Sequence, residues 1–350
     1  MARGRIGLDV GSTAVRAAEL SGGENPAIVR AAQVPLPAGA VENGEVRDPE
    51  AVAEALRELW QRGGFKVRQV WMGVGNQRVV VREIALPWLP EKELRQSLGL
   101  QVQEFIPMST DEAVLDYEVL GEFEQEGRRM LRLLLVAAQR AMVDQLVAAA
   151  LAAKLEPMGL DLVPFAIVRA IGSSDAGMDL EGQGDEAVVD IGSQVTNIVV
   201  HDRGTTRFVR VLPSGGRDVT LAIARGTSVD DDIAETLKRG EAVEGGPDLE
   251  QTRTIALQRA SQFVDEIRSS LEFYTAQSQG ARIARLLVSG GGSKLDGLLE
   301  LMRKKIPIQV ERGSVFQRIP SQLSLSTEAL AEAEPVLTVA AGLAIPGRAQ

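Results

Sequence analysis

The sequence predicts an α/β protein built as two related lobes, a duplicated fold with a small α+β subdomain inserted into the first lobe. Three observations predict it. A strand–turn–strand unit occurs twice, as "IGLDVGSTAVRAAEL" (6–20) and as "AVVDIGSQVTNIVVH" (187–201). Strand-like and helix-like segments are mixed through both halves, as in an α/β sheet. A glycine-rich turn, "LLVSGGGSKLDGLLELM" (286–302), joins a strand to a helix late in the second half. A repeat at about half the chain length implies two similar domains facing each other, with a ligand cleft between them.

The first lobe spans 1–171. Residues 5–20 read as two strands around Asp-Val-Gly-Ser-Thr, and 27–37 as a third. "DPEAVAEALRELWQRGG" (48–64) carries helix signals: Asp48 as N-cap, Pro49 at the first position, Gly63 at the stop. Residues 69–75 and 78–86 read as strands. Pro87 and Pro90 mark a boundary, so the insertion is placed at about 88–158: a helix (90–106), two strands (113–123 and 128–139) and a helix (141–155). "DLVPFAIVRAI" (161–171) closes the lobe. A Gly/Ser/Asp-rich connector (172–186) leads to the second lobe, 185–333. That lobe opens with three strands (187–213). A helical, smaller subdomain follows at about 217–282, then strand, glycine turn and helix (282–306). Residues 334–350 are expected to form a C-terminal helix returning to the first lobe.

Composition narrows the chemistry. Of 350 residues, 45% are hydrophobic and 25% charged, ordinary for a globular chain, and the net charge of -10 argues against a nucleic-acid or anionic-lipid surface. There is no cysteine and one histidine, His201, which removes disulfides, thiolate chemistry and most histidine-dependent catalysis. His201 reads as a polar residue at a strand end. The start "MARGRIGLDVG" has no apolar run of signal-peptide type, and the most apolar stretch, 142–155, is broken by Asp144, Gln145 and Lys154. The expected location is cytoplasmic, with membrane contact through partners.

The repeated turn carries specific chemistry. An Asp closing a buried strand points a carboxylate into the cleft, where Asp9 and Asp190 can hold a hydrated Mg²⁺. Gly11 and Gly192 let the backbone approach a phosphate, and successive N–H groups cradle its oxygens. Ser12, Thr13, Ser193 and Thr196 add hydroxyls. Gly290, Gly291 and Gly292 let the chain pass against a purine or an α-phosphate. Either hairpin alone reads as an ordinary turn; the pair favours a nucleotide clamp. No Gly-Lys-(Ser/Thr) is present, and "GVGNQR" (73–78) lacks the third glycine of a dinucleotide fingerprint.

Together these elements resemble the actin, Hsp70 and sugar-kinase superfamily, whose fold is actin-like, or ribonuclease H-like. Residues 5–20 would be phosphate loop 1, 187–201 phosphate loop 2 and 286–302 the adenosine loop, with "LVPFAIVRAI" and "VLTVAAGLA" as connecting helices. Within it the chain resembles the PilM family of type IV pilus assembly. The features are "IGLDVGSTAVRAAEL", the insertion after "LPWLPEKELRQSLGLQVQEFIP", "SGGRDVTLAIARGTSVDDDIAETLKRG" (214–240) and "EIRSSLEFY" (266–274). The resemblance implies ATP with Mg²⁺ as cofactors. It adds Arg16, Gln194, Gly215, Gly216, Glu235, Lys238, Arg268 and Lys294 to the nucleotide-binding residues. It further implies docking of the N-terminal cytoplasmic tail of a PilN-type bitopic membrane protein, in a groove of the first lobe and its insertion.

Hydrolysis is another matter, because phosphoryl transfer needs a positioned water. Where related proteins carry an acid at the start of the first connecting helix, this chain has Val163. Asp161 is the nearest catalytic candidate, although on a helix it would face elsewhere. Arg16 stands where the family usually has Lys. The expectation is ATP binding with slow or absent turnover. Alternatives are an FtsA-like membrane-associated filament protein, disfavoured because "AAGLAIPGRAQ" shows no basic amphipathic helix, a small-molecule kinase of the same fold, and the cytoplasmic half of a secretion-platform protein.

Overall fold

The computed structural model describes residues 4–173, 184–278 and 280–347. Most of the 172–186 connector lies outside the described residues. The first half runs β1 (Arg5–Val10), β2 (Ala14–Leu20), β3 (Ile28–Pro35), a short hairpin β4 (Val41–Glu42) and β5 (Glu45–Val46), then α1 (Pro49–Gly63) and β6 (Gln69–Val74). Next come β7 (Val79–Pro87), α2 (Glu91–Val102), β8 (Ala113–Gln125), β9 (Arg128–Gln139), α3 (Arg140–Ala152), β10 (Glu156–Leu162) and α4 (Val163–Ile171). The second half runs β11 (Asp185–Ile191), β12 (Thr196–Asp202), β13 (Thr205–Leu212), α5 (Gly216–Thr227), α6 (Asp231–Lys238) and α7 (Leu249–Gln277). It ends with β14 (Ile283–Ser289), α8 (Leu298–Lys305), β15 (Gln309–Arg312) and α9 (Thr327–Ala344).

The duplication is visible in the sheets. The first is ordered β10-β6-β1-β2-β3 and the second β15-β14-β11-β12-β13. In each, the opening hairpin is antiparallel and continues into a third antiparallel strand, while two parallel strands extend the other side. Alternation along β1 explains its place. Ile6 and Leu8 are buried against α1 and α3, and Gly7 faces α9, where a Cβ would run into Ala340 O. α1 begins where Asp48 Oδ1 accepts from the N–H groups of Glu50 and Ala51 at 3.1 and 3.0 Å. Its fully buried Leu56 and Leu59 each contribute roughly 1.5–3 kcal/mol to that core.

α4 and α9 lie between the two sheets, burying Ala166, Ile167, Ala340 and Ala341 against Ala18 of one sheet and Val188 and Val199 of the other. Small residues let the two helices approach closely, and a Cβ on Gly342 would strike Ala166 O. A separate sheet, β7-β9-β8, packs with α2 over its own core of Ile84, Leu94, Leu98, Leu133 and Leu135. That layer draws on residues 79–139, whereas the sequence reading placed the insertion at 88–158. β7 pairs with β9, and α3 packs on the first-lobe core through Met142 and Leu146. Two edge strands, β10 and the shorter β15, have no counterpart in the sequence reading. β10 contains Pro157 and Gly159, and a bulge interrupts its register there.

Candidate nucleotide site between the lobes

The two Asp-Gly hairpins meet at a cleft of about 1320 Å³. From the first lobe it is lined by Asp9, Gly11, Ser12, Thr13 and Arg16; from the second by Asp190, Gly192, Ser193, Gln194, Gly215 and Gly216. Glu235 and Lys238 of α6 form part of the second-lobe wall, and Gly290, Gly291, Gly292 and Lys294 lie at the glycine turn. Most of the residues predicted from the sequence therefore come together in one space.

Both acids stand at the cleft ends of their strands, Asp190 buried and Asp9 half-buried. Asp190 is 7% exposed, and burial, then the neighbouring charge of Asp9, pushes its carboxyl up to about 7. Burial also raises Asp9, opposed by Arg16, whose Nη1 lies 3.3 Å from Asp9 Oδ2. Arg16 is steered from behind by Gln33, which accepts from its Nε at 2.9 Å. Burial raises both carboxyls, and the charge of Asp9 raises Asp190 further, which is the setting in which a cation would offset the cost. Among the described residues no group of three or more His, Cys, Asp or Glu could hold a metal. Two carboxylates leave most of a Mg²⁺ shell to water and phosphate, as that ion prefers.

The loops are built for close approach. Gly216 N–H donates to Gly192 O at 2.9 Å and Arg217 N–H to Ser193 O at 2.8 Å, tying the start of α5 to phosphate loop 2. A Cβ on Gly215 would stand 2.5 Å from Gly192 O. Gly290 has φ +86 and sits on the backbone of Ile191, which leaves no room for a side chain, while Gly291 faces the cleft and only Val336 would meet its Cβ, at 3.4 Å. On the far wall Glu235 Oε2 accepts from Lys238 Nζ at 2.5 Å and Thr220 Oγ1 at 2.6 Å. Burial alone would raise Glu235, but Lys238 and Thr220 outweigh it and lower its carboxyl. Lys294 pairs with Glu332 of α9.

Three predicted residues stand elsewhere. Thr196 Oγ1 is buried and donates to Ser214 O at 2.8 Å, so its hydroxyl holds the neighbouring loop. Arg268 lines a separate hollow with Leu271, Arg282 and Arg303. From the same helix the cleft is lined by Ala260 and Phe263, and five residues further the helix has turned to another face. Asp161 is the penultimate residue of β10, two positions before α4 begins; its carboxylate accepts from Leu162 N–H at 2.7 Å and pairs with Arg169. Val163 does line the cleft, with no carboxylate in its place.

Sequence reasoning missed Asn197. It is 4% exposed, lines the cleft, pairs with Asp190 across β11 and β12, and its Oδ1 is buried without a hydrogen-bond partner. A buried acceptor without a partner at the cleft wall is a place where a bound ligand or water would donate a hydrogen bond. Gly73 and Gly75 were also missed; they carry the end of β6 past Val163 and Asn197.

The sequence pattern of the family described as "Type IV pilus assembly protein PilM" matches residues 7–348. The solved structure titled "PilM-PilN type IV pilus biogenesis complex" is 30% identical, covers 97% of this chain and 97% of that chain, and superposes with TM-score 0.82. The ethanolamine utilization protein EutJ from Carboxydothermus hydrogenoformans is 17% identical over 99% of this chain and 91% of its own, with TM-score 0.59. MreB5 of Spiroplasma citri bound to ADP is 13% identical over 97% of this chain and 94% of its own, with TM-score 0.55. These last two share the two-lobe actin-like fold.

Proposed function

The chain belongs to the type IV pilus assembly protein PilM family, and from that premise we propose that it is an ATP-binding, actin-like scaffold of the pilus inner-membrane platform. Its partner would be the N-terminal cytoplasmic tail of a PilN-type membrane protein, since the 30%-identical structure is that of a PilM–PilN complex. Among the described residues no helix is long and apolar enough to cross a membrane. The reading therefore puts the chain on the cytoplasmic face, held there by its partner.

One observation carries the nucleotide part: two glycine hairpins from opposite lobes place two carboxylates, both raised by burial, in a single cleft. Asp9 and Asp190 would hold Mg²⁺ through its waters, with Asn197 accepting from one of them. Bound Mg²⁺ supplies charge neutralisation for the phosphates. The N–H groups of Ser12, Thr13, Ser193 and Gln194, with the hydroxyls of Ser12, Thr13 and Ser193, orient the terminal phosphates from the two sides, while the Gly11 and Gly192 N–H groups close the turns on Ala14 O and Val195 O. Glu235 and Lys238 face the outer, nucleoside end with Gly291 and Lys294. Gly192 and Gly216 move together because their backbones are bonded, so a phosphate held there pulls α5 with it.

Turnover is proposed to be slow or absent. No carboxylate occupies the position of Val163, and Asp161 is engaged by Arg169. Nucleotide then acts by favouring the closed arrangement of the lobes. The test is titration of synthetic PilN-type N-terminal tails into the protein with and without Mg-ATP, alongside phosphate release. Tail binding with little phosphate release supports the scaffold. Absence of tail binding under both conditions contradicts it.

A further inference from the structure

The hairpin of β4 and β5 crosses the cleft. Its tip, Asn43-Gly44, has φ +51 and +78, the left-handed pair of a type I′ turn. Asn43 N–H reaches across to phosphate loop 2 and donates to Gln194 Oε1 at 2.8 Å. The rest of the hairpin is anchored to the first lobe. Glu45, 12% exposed, pairs with Arg78 at 3.0 Å and Arg47 at 3.2 Å. A Cβ on Gly44 would stand 2.7 Å from Gly75 O and 3.1 Å from Asn76 Cβ, so only glycine lets the tip seat there. Gly75 in turn lies against Val163 and Asn197.

We infer that this hairpin is an arm of the first lobe that positions Gln194 for the terminal phosphate, so that lobe closure and recognition of a triphosphate are one event. The inference rests on the reading that the cleft binds a nucleoside triphosphate. A glutamine amide offers one acceptor and two donors. An N–H can bond only to the oxygen, so Asn43 fixes which way the amide points and leaves the Nε2 hydrogens free. Gln194 lines the cleft beside Ser193, between the two hairpins where a terminal phosphate would lie. With the lobes apart, the Asn43 bond is lost and the amide is free to rotate. A diphosphate, lacking the terminal group, gains nothing from the arrangement.

The test is the affinity of Mg-AMP-PNP and of Mg-ADP, measured by calorimetry, for the full chain and its variants. Gln194→Met keeps the length and removes the hydrogen bonds. It should weaken AMP-PNP about tenfold and ADP less than about twofold. Gly44→Ala lifts the hairpin tip and should show the same bias, about three- to tenfold. The double variant should be no weaker than Gln194→Met alone, because both changes break one bond. Glu45→Gln, which loosens the anchor without touching the cleft, should give the same bias in smaller size if Gly44→Ala fails to fold. Equal losses for the two nucleotides, or losses that multiply in the double variant, overturn the inference while leaving nucleotide binding intact. A wild-type chain that binds neither nucleotide overturns the inference together with the reading beneath it.

Discussion

Strand β11 carries two buried acids, four residues apart and on the same face, and they behave in opposite ways. Glu186 lies at the end where the chain passes from the first lobe to the second. Its oxygens accept from Ser173 N–H at 2.7 Å, from Ser173 Oγ at 3.0 Å and from Arg285, and His201 Nε2 lies 3.1 Å away. Burial alone would raise Glu186, but His201, Ser173 and Arg285 outweigh it and hold the carboxyl down at about 2. Asp190, at the cleft end, has no such partners, and burial with the charge of Asp9 drives it up to about 7. The difference teaches how to tell a supporting acid from one that awaits a ligand: the first has its bonds made within the chain, and the second lacks them.

Breaking the supported acid should have the largest effect. Glu186→Ala leaves Arg285 and His201 without their buried carboxylate and should cost about 3–5 kcal/mol of stability near neutral pH, read by urea unfolding. Its pH dependence follows from the lowered carboxyl. A folded value of about 2 against an ordinary 4.5 means stability that is full above about 4.5 and lost as pH falls toward 2. The gap between wild type and Glu186→Gln should therefore close over that window.

Asp190→Asn should act with the reverse sign in metal-free protein. The wild-type acid takes up a proton on folding between about 4 and 7, so its charge weighs against folding above pH 7. The variant should be more stable there by on the order of 1–3 kcal/mol, with the advantage fading toward pH 4 and reversing when Mg-nucleotide is added. A thermal-melting series at several pH values, with and without Mg-AMP-PNP, checks all three points. Lys238→Ala should weaken nucleotide several-fold by freeing Glu235 from its partner, seen in the same titrations. The smallest effect is expected for Arg268→Ala, which should leave nucleotide affinity within about twofold, since that side chain lines a different hollow.

The elements of the site that were legible in the sequence are local ones. Asp-x-Gly-Ser at the end of an apolar strand names its own turn, and its recurrence 181 positions later implied the facing lobes. What escaped is set by long-range geometry. Strand character in 79–87 says nothing about which sheet will take it, and only the pairing with β9 assigns β7 to its layer. Arg268 enters the expected site only through the resemblance of "EIRSSLEFY", and a resemblance does not set the phase of α7, whose cleft-lining residues are Ala260 and Phe263. Asn197 carries no motif; only its pairing opposite Asp190 reveals it. The bond from Asn43 to Gln194 spans 151 residues, and the Asn-Gly turn announces a hairpin without saying what its tip will touch. His201 read as a polar strand end and is instead wholly buried beside Glu186.

The most direct test of the central claim is the calorimetric affinity of AMP-PNP for wild type, Asp9→Asn and Asp190→Asn, each with Mg²⁺ and with EDTA. The account predicts that wild type binds only with Mg²⁺ present and that each variant loses at least about tenfold. Equal binding by all three proteins, or binding indifferent to EDTA, would contradict it.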